Sequence, residues 1–264
     1  MATGPIAVFD SGVGGLSVLR HIRALLPHEN LIYLADQAHV PYGGRPHEEI
    51  FQFGQAITKF FMVQQSKLIV VACNTASAAA LTRLRFAFPE MSFVGMEPAV
   101  KPAAQQTKNN KVGVLATNGT FESTRYGRLM NQYAQDVIVW EDPCVGLVDL
   151  IEAGHIDTGE TEQFLHRTLT PMLANRIDTL VLGCTHYPFV RPLISQIVGE
   201  QVTIIDPAPA IARQTYHIRQ QQQQLASPTR PGQIQLLTTG DAELFAQLAW
   251  QLIGFEGDVG TAVW

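Results

Sequence analysis

Short apolar runs rich in β-branched residues alternate along this chain with segments of helical periodicity, and that alternation narrows the possible folds more than any other feature. The runs occupy residues 6–9, 31–34, 68–71, 93–96, 112–115, 137–140, 180–182 and 202–205. Each is short, apolar and bounded by turn residues, the pattern of a buried parallel strand. Repeated strand–helix alternation requires crossover connections, hence mostly parallel sheets flanked by helices. The expected class is α/β.

The residues that close the strands carry more information than the strands. Asp10 and Ser11 close the first run and Cys73 a later one; Thr117 and Cys184 repeat that order at similar spacing in the second half. A weak internal duplication explains this. It predicts two similar lobes whose strand ends face each other across an active site. Residues 1–97 plus 209–264 would form the first lobe, carrying Cys73, and residues 98–208 the second, carrying Cys184. The proline-containing stretches 97–102 and 206–209 suit the crossings between them. The glutamine run 220–224 and the segment 227–232 read as a solvated helix end and a surface loop.

Charge and composition exclude several classes. The formal net charge is -5, with acidic and basic residues interspersed and no Lys/Arg-rich run, so nucleic acid is not an expected ligand. No segment approaches the length of a membrane span, and residues 1–10 lack the basic and long apolar regions of a signal peptide. A cytoplasmic location is therefore expected. Three cysteines suit no disulfide framework and read as thiols in a reducing compartment.

Two of those thiols stand where ligands bind in open α/β sheets, just past the carboxyl ends of strands. Cys73 precedes Asn74 and Thr75, both good N-cap types, and a helix-prone stretch at 76–81. A helix start lowers a thiol pKa from its usual value of about 8.5 toward neutrality, where it can act as base or acid. Cys184 precedes Thr185, His186, Tyr187 and Pro188, another strand-to-helix turn with an imidazole beside the thiol. Cys144 has no polar catalytic partner nearby in sequence and reads as a packing residue. The glycines of residues 10–17 do not have GxGxxG spacing, and no P-loop lysine follows. We expect them to let the backbone approach a small ligand, with N–H groups facing an anion such as a carboxylate; a structural tight turn is the alternative.

Five ordered motifs then carry a resemblance across nearly the whole chain. Asp10-Ser-Gly-Val-Gly-Gly-Leu-Ser17, Val40-Pro-Tyr-Gly43, Ala72-Cys-Asn-Thr-Ala-Ser77, Gly183-Cys-Thr-His-Tyr-Pro188 and Thr239-Gly-Asp241 resemble the signature set of the glutamate racemases. The resemblance implies a cofactor-independent isomerase without a metal, which interconverts L- and D-glutamate and supplies D-glutamate for peptidoglycan. It further implies that Cys73 and Cys184 are the two bases, that Asp10 assists on the Cys73 side, and that Glu152 and His186 assist on the Cys184 side. Asp36 is an auxiliary candidate or a turn-capping residue. The implied substrate contacts are Asp10, Ser11, Tyr42, Gly43, Asn74, Thr75, Thr117, Thr120, Thr185 and His186. A homodimer is the implied assembly.

The chain departs from the family pattern in two places. Prolines common before the glutamate are replaced by Val145 and Asp149, which predicts a different backbone path to Glu152. Pro207 and Ala208 replace a hydroxyl at the second crossing, which predicts altered hinge geometry. Other readings are an aspartate racemase, a thiol redox or metal protein, and a non-catalytic amino-acid-binding module. The absence of CxxC and of ligand spacing between histidines and these cysteines argues against the second, and the retention of two thiols argues against the third.

Overall fold

The computed structural model describes residues 4–264. Met1 to Thr3, where the segment read above for a leader begins, lie outside the described residues. Ten strands are described: β1 (Ile6–Asp10), β2 (Leu31–Ala35), β3 (Leu68–Val71), β4 (Phe93–Gly95), β5 (Lys111–Leu115), β6 (Ile138–Asp142), β7 (Thr179–Leu182), β8 (Thr203–Ile205), β9 (Ile234–Thr238) and β10 (Val259–Thr261). They form two parallel sheets with helices on both faces, one ordered β10-β9-β2-β1-β3-β4 and the other β6-β5-β7-β8. The α/β class with two similar lobes is thus the observed one.

Every residue of β1, β2, β3 and β7 is buried. Central strands covered on both faces can be apolar throughout, which is why these segments show no polar alternation. The chain leaves the first sheet after β4 and returns to it with β9. β9 and β10 were not among the predicted strands. The first carries Gln235 amid its apolar residues and the second is a three-residue edge strand with a central glycine, so neither has the uniform apolar signature of a central strand.

The order of strands explains where the site lies. In the first sheet the chain runs from β1 to β2 on one side and later to β3 on the other, opening a crevice past the carboxyl ends of β1 and β3. Asp10 ends β1 and Cys73 follows β3 there. The second sheet repeats the pattern with β5 flanked by β6 and β7, placing Thr117 and Cys184 past its own switch point. A buried cluster that includes Val13 and Leu16 of the first lobe and Leu147, Ile151 and Val190 of the second joins the two.

The glutamine run is the solvated helix end expected, and two of its residues also serve a buried charge. Arg219, fully buried near the end of helix Ala208–Gln221, donates to the Gln222 side chain at 2.6 Å, to the Lys67 carbonyl at 3.2 Å and to the Gln224 side chain. A buried guanidinium needs acceptors for its fork of donors, and two of the glutamines supply them.

Candidate active site

Both cysteines of interest line one cavity between the lobes. Ser11, Tyr42, Gly43, Cys73, Asn74 and Thr75 reach it from the first lobe; Thr117, Cys184, Thr185 and His186 reach it from the second. Pro41, Val148 and Gly183 also line it and were not singled out from the sequence. Pro41 and Gly183 sit inside recognised motifs, whereas Val148 is an apolar residue without any chemical signal. Thr120 does not line the cavity. Its hydroxyl lies 3.2 Å from that of Thr117, which does line it. Asp10 and Glu152 are likewise set back from the wall.

Cys73 itself caps helix Asn74–Ala87, its sulfur accepting from the Ala76 N–H at 3.4 Å. The predicted caps, Asn74 and Thr75, instead occupy the first turn, where both line the cavity. The Asn74 side chain is buried, and neither its oxygen nor its nitrogen has a partner among the described residues. Buried amides are almost always paired, which sets this one apart among the side chains lining the cavity. The expected lowering of the Cys73 pKa does not occur. Burial pushes the thiol up and the nearby Asp10 charge adds to it, outweighing the hydrogen bonds from Ala76 and Ser11. Cys73 therefore rests as a neutral thiol.

On the other wall, Nδ1 of His186 lies 3.5 Å from the Cys184 sulfur, and its Nε2 donates to Oε1 of Glu152 at 2.6 Å. Burial opposes a charged imidazole, yet the hydrogen bonds to Cys184 and Glu152 prevail and hold the His186 pKa well above its ordinary value. Burial also opposes the Glu152 carboxylate, but His186, the Val13 N–H and Gln37 together bring its pKa below the usual carboxylate range. An imidazolium–carboxylate pair thus stands behind the Cys184 sulfur.

The glycine turn accommodates this pair. Its backbone N–H groups meet two carboxylates of the protein itself, Glu152 accepting from Val13 at 2.7 Å and Asp10 from Gly12 at 3.0 Å. A Cβ at Gly12 would lie 1.9 Å from Glu152 Oε1, and one at Gly14 would lie 2.5 Å from His186 Nδ1. Only bare backbone lets the second lobe come this close.

Asp10 is fully buried and accepts from the Gly12 N–H at 3.0 Å and from the Ser11 and Thr185 hydroxyls at 3.1 and 2.8 Å. Burial raises its pKa from 3.8 to about 6, against the lowering effect of His186. Asp36 does not cap the turn Gln37–His39 with its side chain. It accepts from the Tyr42 hydroxyl at 2.6 Å, from His39 Nδ1 at 2.9 Å and from the Thr239 hydroxyl at 2.8 Å, and so braces Tyr42. Thr239 thereby explains one of the motifs, and Asp241 another part of it by capping helix Ala242–Ile253. Cys144 is buried in a turn with φ 46°, where its polar neighbours include Asp142, Tyr187 and Cys184. Before Glu152 the backbone passes through Gly146 at φ 97°, and helix Leu147–Glu152 delivers the carboxylate to Val13. Beside Pro207, Asp206 accepts from the Ala208 N–H at 2.8 Å. Among the described residues, no cluster of His, Cys, Asp and Glu could hold a metal ion, and no helix is long and apolar enough to cross a membrane.

Residues 14–215 match the family model described as Asp/Glu/Hydantoin racemase. A glutamate racemase of Herpetosiphon aurantiacus is 49% identical over 248 residues, covering 94% of this chain and 97% of that protein. The glutamate racemase of Pseudomonas aeruginosa (strain UCBPP-PA14) is 50% identical over 222 residues, 84% of each chain. Among solved structures, Francisella tularensis glutamate racemase in complex with D-glutamate superposes with a TM-score of 0.86 at 28% identity, covering 100% of this chain and 98% of that one. The Escherichia coli enzyme in complex with L-glutamate and the activator UDP-MurNAc-Ala gives 0.85 at 34% identity, covering 98% of each.

Proposed function

Because the chain belongs to the Asp/Glu/Hydantoin racemase family, we propose that the cavity between its lobes is the site at which L-glutamate and D-glutamate are interconverted. The protein is a glutamate racemase, an isomerase whose D-glutamate serves peptidoglycan synthesis. The observation that supports the site assignment is the pair of thiols, one from each lobe, lining one cavity together with the unpaired Asn74 amide.

Inversion at Cα requires a proton to leave one face while another arrives at the opposite face. In this reading Cys73 first gives its thiol proton to the neighbouring Asp10 carboxylate and, as thiolate, takes the α-proton of D-glutamate while Cys184 protonates the other face; for L-glutamate the roles exchange. The α-proton is far less acidic than a thiol, and each unit of mismatch costs about 1.4 kcal/mol. Fixed donors around the substrate carboxylates and exclusion of water must offset that gap. The unpaired Asn74 amide is such a donor, and Ser11, Thr75, Thr117, Thr185 and the Tyr42–Gly43 segment complete the polar wall around it. His186, paired with Glu152, can exchange a proton with Cys184, while Asp10 sits beside Cys73.

The cavity is tight, with a volume of about 20 Å³, roughly the space that holds a single water. Substrate entry therefore needs the lobes, residues 1–97 with 209–264 and residues 98–208, to part and close again. A cytoplasmic location and a homodimer complete the proposal, and sedimentation equilibrium tests the latter. The decisive assay is incubation with L-glutamate in D2O without added cofactor, followed by chiral analysis. D-glutamate carrying deuterium at Cα is expected; unchanged L-glutamate without exchange would refute the assignment.

A further inference from the structure

Glu152 belongs to the second lobe, but two of its three hydrogen bonds come from the first. The Val13 N–H donates to Oε1 at 2.7 Å and the Gln37 side-chain amide donates to Oε2 at 3.2 Å, while His186 supplies the bond from its own lobe. Gln37 is held in turn by β9, its Oε1 accepting from the Thr238 hydroxyl at 2.9 Å. That bond orients the amide, because an oxygen already turned to a donor leaves the NH2 to face Glu152. Gln37 does not line the cavity, so it cannot act by touching a substrate.

We infer that Gln37 is a positioning residue for the Cys184 half of the reaction: it holds Glu152 against His186 only while the lobes are closed, so that closure assembles the proton relay. This inference rests on the racemase reading above. Parting of the lobes takes the Val13 and Gln37 donors away from Glu152 and admits water, leaving His186 with a less firmly oriented partner. The ionisable groups facing Glu152 are His186 after β7, Asp10 at the end of β1 and Tyr33 on β2, whose hydroxyl is committed to the Gly12 carbonyl at 2.6 Å. The acid adjoining Gln37 in sequence, Asp36, is engaged by Tyr42, His39 and Thr239.

Two substitutions separate this role from a merely structural one. Gln37→Met removes both hydrogen bonds. Gln37→Glu keeps an acceptor for Thr238 but sets a second carboxylate against Glu152. If Gln37 only pinned β9, the glutamate variant would be the milder. The inference predicts the reverse at pH 8. Gln37→Met should lower kcat about tenfold with KM little changed, and Gln37→Glu about a hundredfold, the range expected for hydrogen bonds to a charged group. The Gln37→Glu deficit, relative to wild type at the same pH, should shrink toward pH 6, where a shared proton restores a donor.

The face of the substrate affected is a further readout. L- and D-glutamate are equal in free energy, so kcat/KM must fall equally in both directions. The isotope effect need not. The α-deuterium effect should rise for L-glutamate, whose proton goes to Cys184, and not for D-glutamate. Wild type run alongside keeps the two ideas apart, since an inactive wild type refutes the racemase reading itself. An active wild type with Gln37→Glu as active as Gln37→Met at pH 8, or with equal isotope effects for both enantiomers in the variants, would overturn the role of Gln37.

Discussion

The Thr185 hydroxyl of the second lobe donates to the Asp10 carboxylate of the first across 2.8 Å. That bond places a fully buried acid at the seam between the lobes, with burial raising its pKa to about 6. In the folded protein Asp10 thus binds its proton more tightly than when unfolded, and its contribution to stability falls as pH rises from about 3.8 through about 6. Asp10→Asn removes this pH dependence, although its single amide oxygen cannot replace both carboxylate acceptors. The stability difference should therefore move in favour of the variant by up to about 3 kcal/mol between pH 4 and pH 8, while racemisation falls at every pH. Denaturant midpoints for both proteins across that range test the idea, and a difference independent of pH would count against it.

Cys73→Ser and Cys184→Ser should each lower racemisation by about 10²–10⁴-fold, the usual share of a general acid or base. The serine hydroxyl is too weakly acidic to exchange protons with Cα. Near-unchanged circular dichroism is expected, because the swap preserves shape at both sites. Retention of full activity in either variant would remove that thiol from the mechanism.

Gly12→Ala should reduce activity at least about tenfold, since its Cβ would fall 1.9 Å from the Glu152 carboxylate and displace a charge-assisted hydrogen bond. Gly44→Ala is the matched control, with nothing within 4 Å of its added carbon. Steady-state kinetics on the pair distinguish close approach from a general intolerance of change in these loops. Comparable losses in both would point to the latter.

Asn74→Ala should raise KM for glutamate by about ten- to a hundredfold with little loss of thermal stability, because the amide has no partner among the described residues to forfeit. Thr120→Ala should leave KM within about threefold of wild type, since Thr120 reaches only Thr117. A large KM effect at Thr120 and none at Asn74 would invert the assignment of ligand donors.

Much of the architecture was legible in the residue order. Uninterrupted apolar runs announced the buried strands because a parallel strand covered on both faces has no polar side to display. The cysteines were legible for a related reason: each stands where such a run breaks into a polar turn, and strand ends are where an α/β sheet exposes its chemistry. β10 escaped notice because a short edge strand with a central glycine has no such contrast. Val148 escaped because an apolar residue that lines a site has the same local pattern as one that fills a core.

The chain order by itself determined the fold class, the strand-end positions of both thiols and the presence of an acid and an imidazole nearby, since these follow from local periodicity and residue type. Which groups touch was decided only by the tertiary structure. The helix start that should have lowered the Cys73 pKa is outweighed by burial, and one of the carboxylates served by the glycine turn proved to be Glu152, far away in sequence. Gln37 meets Glu152 because two sheets close on each other, and Asp36 meets Thr239 because β2 and β9 pair within one sheet. Desolvation and contacts across lobes depend on what surrounds a residue in space, and no window of neighbouring sequence contains that information.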